Sequence, residues 1–338
     1  MKVNIFDVAK KSGMSVVTVS RVLNNAPTVR EKNRQKVLDA IKELNYSPNS
    51  AARTLVRGKT GVIGLTITAL NDTVFDGVVQ SVLENLKLNG YVLAISIAHE
   101  LGNESFDASN FLFHHDRVDG IIVLSTLQEE AYIADLERKK IPFVMIDSHS
   151  EHNNVPTINV DNYLGGYEAT KHLIALGHKR IAHISGQYAF LSARQRKEGF
   201  TDAMIEAGLS PSMIIEGEFG TYCGHSIMQD WIAQGNQIPS AIFAADDMIA
   251  LGVIRSLMEA GYNVPGDVSV IGYDDQSFAN EVHPRLTTIR QPVGQVGEHA
   301  VKILMDLIQG KQTKNTKLQL KPELIFREST AKYKGDIN

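Results

Sequence analysis

The sequence predicts two architectures in one chain: an all-α helix-turn-helix head and an α/β two-lobed body with parallel sheets. Three observations predict them. Charge is divided along the chain: residues 1–60 hold 12 Lys and Arg against 4 Asp and Glu, net +8, whereas residues 61–338 carry a net −12, giving −4 overall. Apolar residues in the first 45 positions recur at helical spacing around a Ser–Gly turn. From Gly61 onward, short Val- and Ile-rich runs alternate with amphipathic helical stretches, the pattern of repeated βα units.

In the head, Ile5, Val8 and Ala9 mark a first helix with Asn4 as its N-cap, and Ser12–Gly13 turns the chain. Ser15 caps a second helix with Val19, Val22 and Leu23 facing inward. Two short helices around a Gly-containing turn are a helix-turn-helix, whose second helix enters the DNA major groove by its N-terminal residues. Here those residues are Ser15, Val16, Val17, Thr18, Ser20 and Arg21. Hydroxyls donate to phosphates, apolar side chains meet thymine methyls, and Arg pairs with guanine. A third helix carries the stripe Val37, Leu38, Ile41 and Leu44, with Thr28 and Glu31 fitting a capping box unless the helix begins a turn later. Without DNA, the same pattern reads as a three-helix interaction module with a solvated basic face. The domains expected are a helix-turn-helix at 1–47, a hinge helix and linker at 48–60, a body at 61–330 and a tail at 331–338.

In the linker, Ser47–Pro48 ends the preceding helix, and Asn49 caps a short segment that stops at Gly58. Two helical turns are unstable alone, so the segment folds against DNA or a second copy, or remains a linker. Leu55 in such a segment suits a wedge between base pairs in the minor groove.

The body's strand candidates are Val62–Ile67, Tyr91–Ile97, Gly120–Leu124, Phe143–Ile146, Arg180–Ile184, Ala241–Phe243 and Ser269–Gly272. They are apolar at both alternating positions, as strands covered on both faces are. Gly90, Gly177, Gly208 and Gly261 close helices between them. So much βα repetition exceeds one sheet, and ligands of such folds sit at the carboxyl ends of strands, in a cleft. Asp147, Asp246, Asp247, Asp274 and Asp275 fall at those ends, with Ser192 and Arg196 beginning a helix after another strand. Carboxylates, an Arg and the aromatics Phe75 and Phe219 suit a polyhydroxylated ligand. Paired carboxylates also suit a glycosidase or a Mg²⁺ site, and an Asp at a strand end also caps the next helix.

Several classes are disfavoured. No apolar run approaches the ~20 residues of a membrane helix. No secretory signal opens the chain, so a cytoplasmic location is expected. The single Cys223 excludes an internal disulfide. Gly58–Lys59–Thr60 lacks the first glycine and the strand of a phosphate-binding loop. His114–His115–Asp116 and His149–Ser150–Glu151–His152 have no metal-ligand spacing. No catalytic residues, metal or cofactor are expected.

Ordered blocks then carry a resemblance along essentially the whole chain. They include Asp7–Val8–Ala9, Thr18–Val19–Ser20–Arg21–Val22–Leu23–Asn24, Leu44–Asn45–Tyr46–Ser47–Pro48–Asn49 and Ala52–Arg53–Thr54–Leu55. Further blocks are Asp161–Asn162 with Gly165–Gly166, Gly177–His178–Lys179–Arg180–Ile181, Gly272–Tyr273–Asp274–Asp275 and Leu286–Thr287–Thr288–Ile289–Arg290–Gln291–Pro292. The chain thereby resembles the LacI/GalR family of bacterial transcriptional regulators.

The resemblance implies a homodimeric repressor on a near-palindromic double-stranded operator, switched by a small-molecule effector. It implies DNA contacts from Thr18, Ser20, Arg21 and Asn24, with Val16 and Val17 at the specificity positions. Asn49 and Ala52 would lie in a hinge helix with Leu55 as the intercalating side chain. The body would be periplasmic-binding-protein-like, with an N-lobe of about 61–160 plus 291–320 and a C-lobe of about 161–290 plus 321–330. Effector residues would be Asp147, Ser192, Arg196, Phe219, Asp246 and Asp274, together with Phe75 and Asn159. Acidic groups outnumber basic ones in that set, which favours a sugar or oligosaccharide over a phosphate. Two departures stand out: Asn71–Asp72–Thr73–Val74–Phe75 replaces an Asn-Pro-Phe-like turn, and Arg30 stands at a usual Ser or Thr cap. The final residues lack the leucine heptads of the lactose repressor's tetramerising tail, so dimers are expected. The alternative from another class is a soluble carbohydrate-binding protein without DNA function, which predicts no basic head.

Overall fold

A computed structural model describes residues 3–24, 26–46, 58–67, 73–97, 114, 117–124, 129–148, 154–311 and 316–335, without the side chains of 73–75. The expected hinge helix, with Asn49, Ala52 and Leu55, lies outside the described residues, as does the side chain of Phe75. The chain forms two compact units, one essentially residues 1–61 and the other the body.

The head has three helices, α1 (Ile5–Ser12), α2 (Val16–Leu23) and α3 (Glu31–Glu43). Asn4 and Asp7 close a capping box on α1: Asn4 Oδ1 accepts from Asp7 N (3.2 Å), and Asn4 N donates to Asp7 Oδ2 (2.9 Å). Gly13 ends the helix at φ 68°, a left-handed conformation that glycine adopts without strain. Ser15 caps α2 by accepting from Thr18 N at 3.2 Å. Val8, Ala9, Val19, Val22, Val37 and Ala40 form the core. These are small side chains, which lets three short helices approach closely. Two expectations fail on α3. It starts at Glu31 after Arg30, with no side-chain cap, so Thr28 makes no capping box. Leu38 is 44% exposed while Ala40 is buried, because the inward stripe runs through 37, 40, 41 and 44.

The body contains two six-stranded sheets. The first has the order β11-β5-β4-β3-β1-β2, built from β1 (Val62–Ile67), β2 (Val92–Ile97), β3 (Gly120–Leu124), β4 (Phe143–Ile146), β5 (Thr157–Val160) and β11 (Lys317–Leu320). All its pairings are parallel. The second has the order β12-β10-β9-β8-β6-β7, built from β6 (Ile181–Ser185), β7 (Ile214–Glu216), β8 (Ala241–Ala244), β9 (Ser269–Asp274), β10 (Thr287–Arg290) and β12 (Glu323–Ile325). It is parallel except for β12, which runs antiparallel to β10. The chain passes between sheets three times: after β5, after β10 and between β11 and β12. Asp161 N donates to Leu320 O at 2.8 Å, so the first and third passages are bonded together.

Helices α4 (Thr73–Leu88), α5 (Glu129–Arg138) and α10 (Val293–Ile308) accompany the first sheet; α6 (Asn162–Ala175), α7 (Leu191–Glu206), α8 (Thr221–Ala233) and α9 (Asp247–Glu259) accompany the second. Ile63, Leu65, Val82, Leu86, Ile122, Val144, Ile158 and Leu304 are among the residues of the first core; Ile242, Ala250, Val253, Leu257 and Val270 are among those of a second. Among the described residues no helix is long and apolar enough to cross a membrane.

The Gly165–Gly166 block has a steric reason. A Cβ on Gly166 would stand 2.3 Å from the backbone oxygen of Arg196, and one on Gly199 would stand 2.2 Å from that of Tyr163. Helices α6 and α7 therefore meet backbone to backbone. Gly166→Ala should destabilise the body by about 1–3 kcal/mol, read as a lower midpoint in thermal unfolding; an unchanged midpoint would contradict this packing.

Candidate functional site

The head presents one polar helix face. Val19 and Val22 of α2 are buried, whereas Ser15, Val16, Val17, Thr18, Ser20, Arg21 and Asn24 are exposed or half-buried. Val17 is 60% exposed. Ser15 and Thr18 also serve the fold, with their hydroxyls 2.9 Å apart. Lys11 pairs with Glu43 at 2.8 Å and Arg34 Nη2 donates to Ala26 O at 2.7 Å, so part of the head's basic charge braces its helices.

The body's pocket lies where the two sheets' strand ends meet. It spans about 760 Å³, the solvent at its open mouth included. Six residues expected there from sequence line it: Asp147, Ser192, Arg196, Phe219, Asp246 and Asp274. Asn159 is not in the lining. It clamps the loop after β4 instead, accepting from Ser148 N at 3.0 Å and donating to Ser148 O at 2.8 Å. That clamp fixes the residue after Asp147, which stands at φ 54°. Glu129 accepts from the Ser148 hydroxyl and secures the same loop.

Arg196 is the pocket's structural centre. It is buried, its guanidinium lies 3.6 Å from the Tyr273 ring centroid, Nε donates to Asn162 Oδ1 (3.0 Å), and Nη1 donates to Ala245 O (2.6 Å). Nη2 sits 3.6 Å from Asp274 Oδ1, which also accepts from Gln291 Nε2 at 2.6 Å. Burial opposes the guanidinium's charge, but Asp274, Tyr273, Asp147 and Asp246 outweigh it and raise the pKa of Arg196 above its ordinary value. Burial pushes the carboxyl of Asp274 well above the usual range, with Asp247 and Asp246 adding to the rise and Arg196 and Gln291 opposing it.

The Asp pairs divide their roles. Asp246 and Asp274 line the pocket, and Asp246 also caps α9 by accepting from Ile249 N at 2.5 Å. Their neighbours turn into the second lobe. Asp247 accepts from Gln276 N (2.8 Å) and the Thr288 hydroxyl (2.6 Å). Asp275 accepts from Arg290 Nε (2.6 Å) and from Arg327. Neither adjacent pair presents both carboxyl groups to the pocket, as a glycosidase built on such a pair would require. Among the described residues no group of three His, Cys, Asp or Glu is placed to hold a metal ion.

Sequence reasoning missed Asn162, Phe190 and Gln291, all of which line the pocket. Asn162 and Gln291 sit in the Asp161–Asn162 and Arg290–Gln291–Pro292 blocks, which was their signal. Phe190 had none. It meets Phe219 edge to face at 5.7 Å, and a Cβ on Gly186 would stand 2.2 Å from the Phe219 ring, so Gly186 makes room for that ring.

A basic three-helix head carried by a two-lobed body with an interlobe pocket defines a ligand-responsive DNA-binding regulator. Residues 4–49 match the family model for bacterial regulatory proteins of the lacI family, and residues 170–330 match a periplasmic binding protein-like domain. The HTH-type transcriptional repressor PurR of Haemophilus influenzae is 37% identical over 331 residues, covering 96% of this chain and 98% of that protein. Among solved structures, the lac repressor dimer bound to operator and the anti-inducer ONPF is 30% identical with a TM-score of 0.87, covering 98% of this chain and all of that one. The CelR–cellobiose complex is also 30% identical, with a TM-score of 0.74 over 97% of this chain and all of that one. The chain belongs to the lacI family of bacterial regulatory proteins, and is a DNA-binding transcriptional repressor; its relatives are repressors, not enzymes.

Burial raises Asp247 to about 7, reinforced by Asp246 and Asp275 and opposed by its bonds to Thr288 and Gln276. The unfolded carboxyl titrates near 3.8, so between 3.8 and about 7 the folded state holds a proton the unfolded chain has lost. Stability from this group therefore falls as pH rises through that window. Asp247→Asn keeps an acceptor for Gln276 N and offers a donor to Thr288 Oγ1. Thermal melts from about pH 4 to 8 should show a flatter pH dependence for the variant; identical slopes would refute the assignment.

Proposed function

We propose that two copies of this protein bind a near-palindromic operator in the cytoplasm and that a neutral sugar or oligosaccharide in the interlobe pocket switches that binding. One observation carries the effector reading: a single buried Arg196 is surrounded by Asp147, Asp246 and Asp274. The carboxylates of Asp147 and Asp246 beside that one cation disfavour a phosphate, whereas hydroxyls can donate to carboxyl oxygens and accept from the guanidinium. Phe190 and Phe219 offer apolar ring surface to the CH face of a sugar. The similar CelR bound to cellobiose supports the same class. Repressors that match along nearly the whole chain, and a neighbour captured on operator, support the DNA reading.

In this reading residues 1–47 are the reader, 48–60 the hinge helix and linker, 61–330 the sensor and dimerisation body, and 331–338 the tail. The N-lobe is about 61–160 plus 291–320 and the C-lobe about 161–290 plus 321–330. Thr18, Ser20, Arg21 and Asn24 hold the DNA, Val16 and Val17 discriminate bases, and Ser15 meets a phosphate. Asn49 and Ala52 stand in the hinge helix, with Leu55 as a minor-groove wedge. Asp147, Ser192, Arg196, Phe219, Asp246 and Asp274 hold the effector, Asn159 acts through the loop of Asp147, and Phe75 belongs to the same effector set. Effector and operator affinities are coupled reciprocally, by about 1–3 kcal/mol.

Arg21→Ala should weaken operator binding by about 1–3 kcal/mol in fluorescence anisotropy while leaving ligand binding intact; simultaneous loss of both would argue against separate reader and sensor. A thermal-shift screen against neutral sugars should find a ligand that adds about 2.7 kcal/mol at 100 times its Kd, and Phe219→Ala should diminish that shift. A response confined to phosphorylated or nitrogenous ligands would overturn the sugar reading.

A further inference from the structure

The second lobe carries another cavity, at the opposite ends of its strands. It spans about 730 Å³, the solvent at its open mouth included. Ser240 and Val268, which line it, immediately precede β8 and β9, and His178 lies just before β6. Asp246 and Asp274 stand at the other ends of the same strands. Strands of 4 and 6 residues place about 13–20 Å between the two sites at ~3.3 Å per residue.

We propose that this cavity is a second ligand site, for a small organic polyanion of the phosphate-ester or polycarboxylate class. Its charge is the first argument. Among the described residues that line it, Arg180, Lys332 and Lys334 stand against one carboxylate, Asp267, on a body whose net charge is −12. Local positive charge there runs against the composition around it. Asp267 is occupied by the fold, since its Oδ2 accepts from both Asn263 N (2.7 Å) and Asn263 Nδ2 (3.0 Å). Arg180 is pinned at the rim by donating from Nη2 to Ile238 O at 3.0 Å.

The second argument is that the walls are already built. His178 is buried and bonded to Ser240 Oγ, Ser269 Oγ and Ala331 O, each at 3.1 Å, which ties the tail to the lobe. Tyr333 N donates to Leu176 O at 2.9 Å, and its ring packs 5.5 Å from that of His178. The tail therefore arrives in a fixed place with Lys332 and Lys334 on either side of Tyr333. Tyr262 and Tyr333 line it with flat rings, which suit an organic anion better than a bare ion. Burial lowers the His178 pKa, so this ring is a neutral wall and the cationic groups are the Arg and the two Lys.

The chain's single tryptophan reports on this place. Trp231 Nε1 donates to Gln237 O at 3.2 Å, and Gln237 precedes Ile238 of the cavity wall. Full-length protein titrated with inorganic pyrophosphate, and separately with citrate, at about 0.15 M ionic strength should give a saturable change in Trp231 fluorescence. Lys332→Ala/Lys334→Ala should weaken the fitted Kd about ten-fold or more. Both lysines are exposed, so the double variant keeps its fold, and Lys334→Glu gives an independent check by reversing one charge. A flat or non-saturating titration, or equal Kd values in the parent and both variants, overturns the proposal.

Discussion

A guanidinium withdrawn from water sets the terms for the interlobe site. Such a charge survives in the interior only with its hydrogen bonds met and opposite charge at hand. Arg196 satisfies this through Asn162, the Ala245 carbonyl, the face of Tyr273 and the carboxyl of Asp274. These partners come from three segments, so the charge fixes the start of α6, the loop after β8 and the end of β9 together. The two glycines that let α6 and α7 touch along their backbones serve the same end, because the oxygen that Gly166 makes room for belongs to Arg196 itself.

Around that charge, adjacent acids perform unlike tasks. Asp246 and Asp274 face the pocket, while Asp247 and Asp275 lock β9, β10 and β12 by hydrogen bonds and ion pairs. A strand end makes this possible. Neighbouring residues in extended chain point to opposite sides, and φ values of 113° and 56° at Asp274 and Asp275 turn the chain sharply. The cost of burying carboxylates near one another appears as raised pKa values at Asp247 and Asp274.

Much of the fold was legible because its signals are local. Val62–Ile67, Gly120–Leu124 and Phe143–Ile146 are strands with the expected bounds, as continuous apolar runs between helices must be in a sheet covered on both faces. Strands β5, β7, β10, β11 and β12 escaped notice. They have three or four residues each, with Thr, Asn, Lys, Gln or Glu among them, and their identity comes from distant pairing partners rather than from pattern. Leu38 was misplaced because a helix's inward stripe depends on where the neighbouring helices lie. Carboxylates at strand ends were visible in the sequence, since parallel sheets put ligand groups there. Which member of each Asp pair faces the cavity was not, because that follows from the turn into the next element. Phe190 has no sequence pattern at all: only its ring contact with Phe219 places it.

Gln291 occupies one of the three strands of chain that join the lobes, and its amide holds Asp274 within the cavity. A guest that competes for that carboxyl oxygen acts on a connecting rod, not on a remote surface. Recognition and lobe movement would then share a single hydrogen bond, with no relay of side chains needed to carry the message.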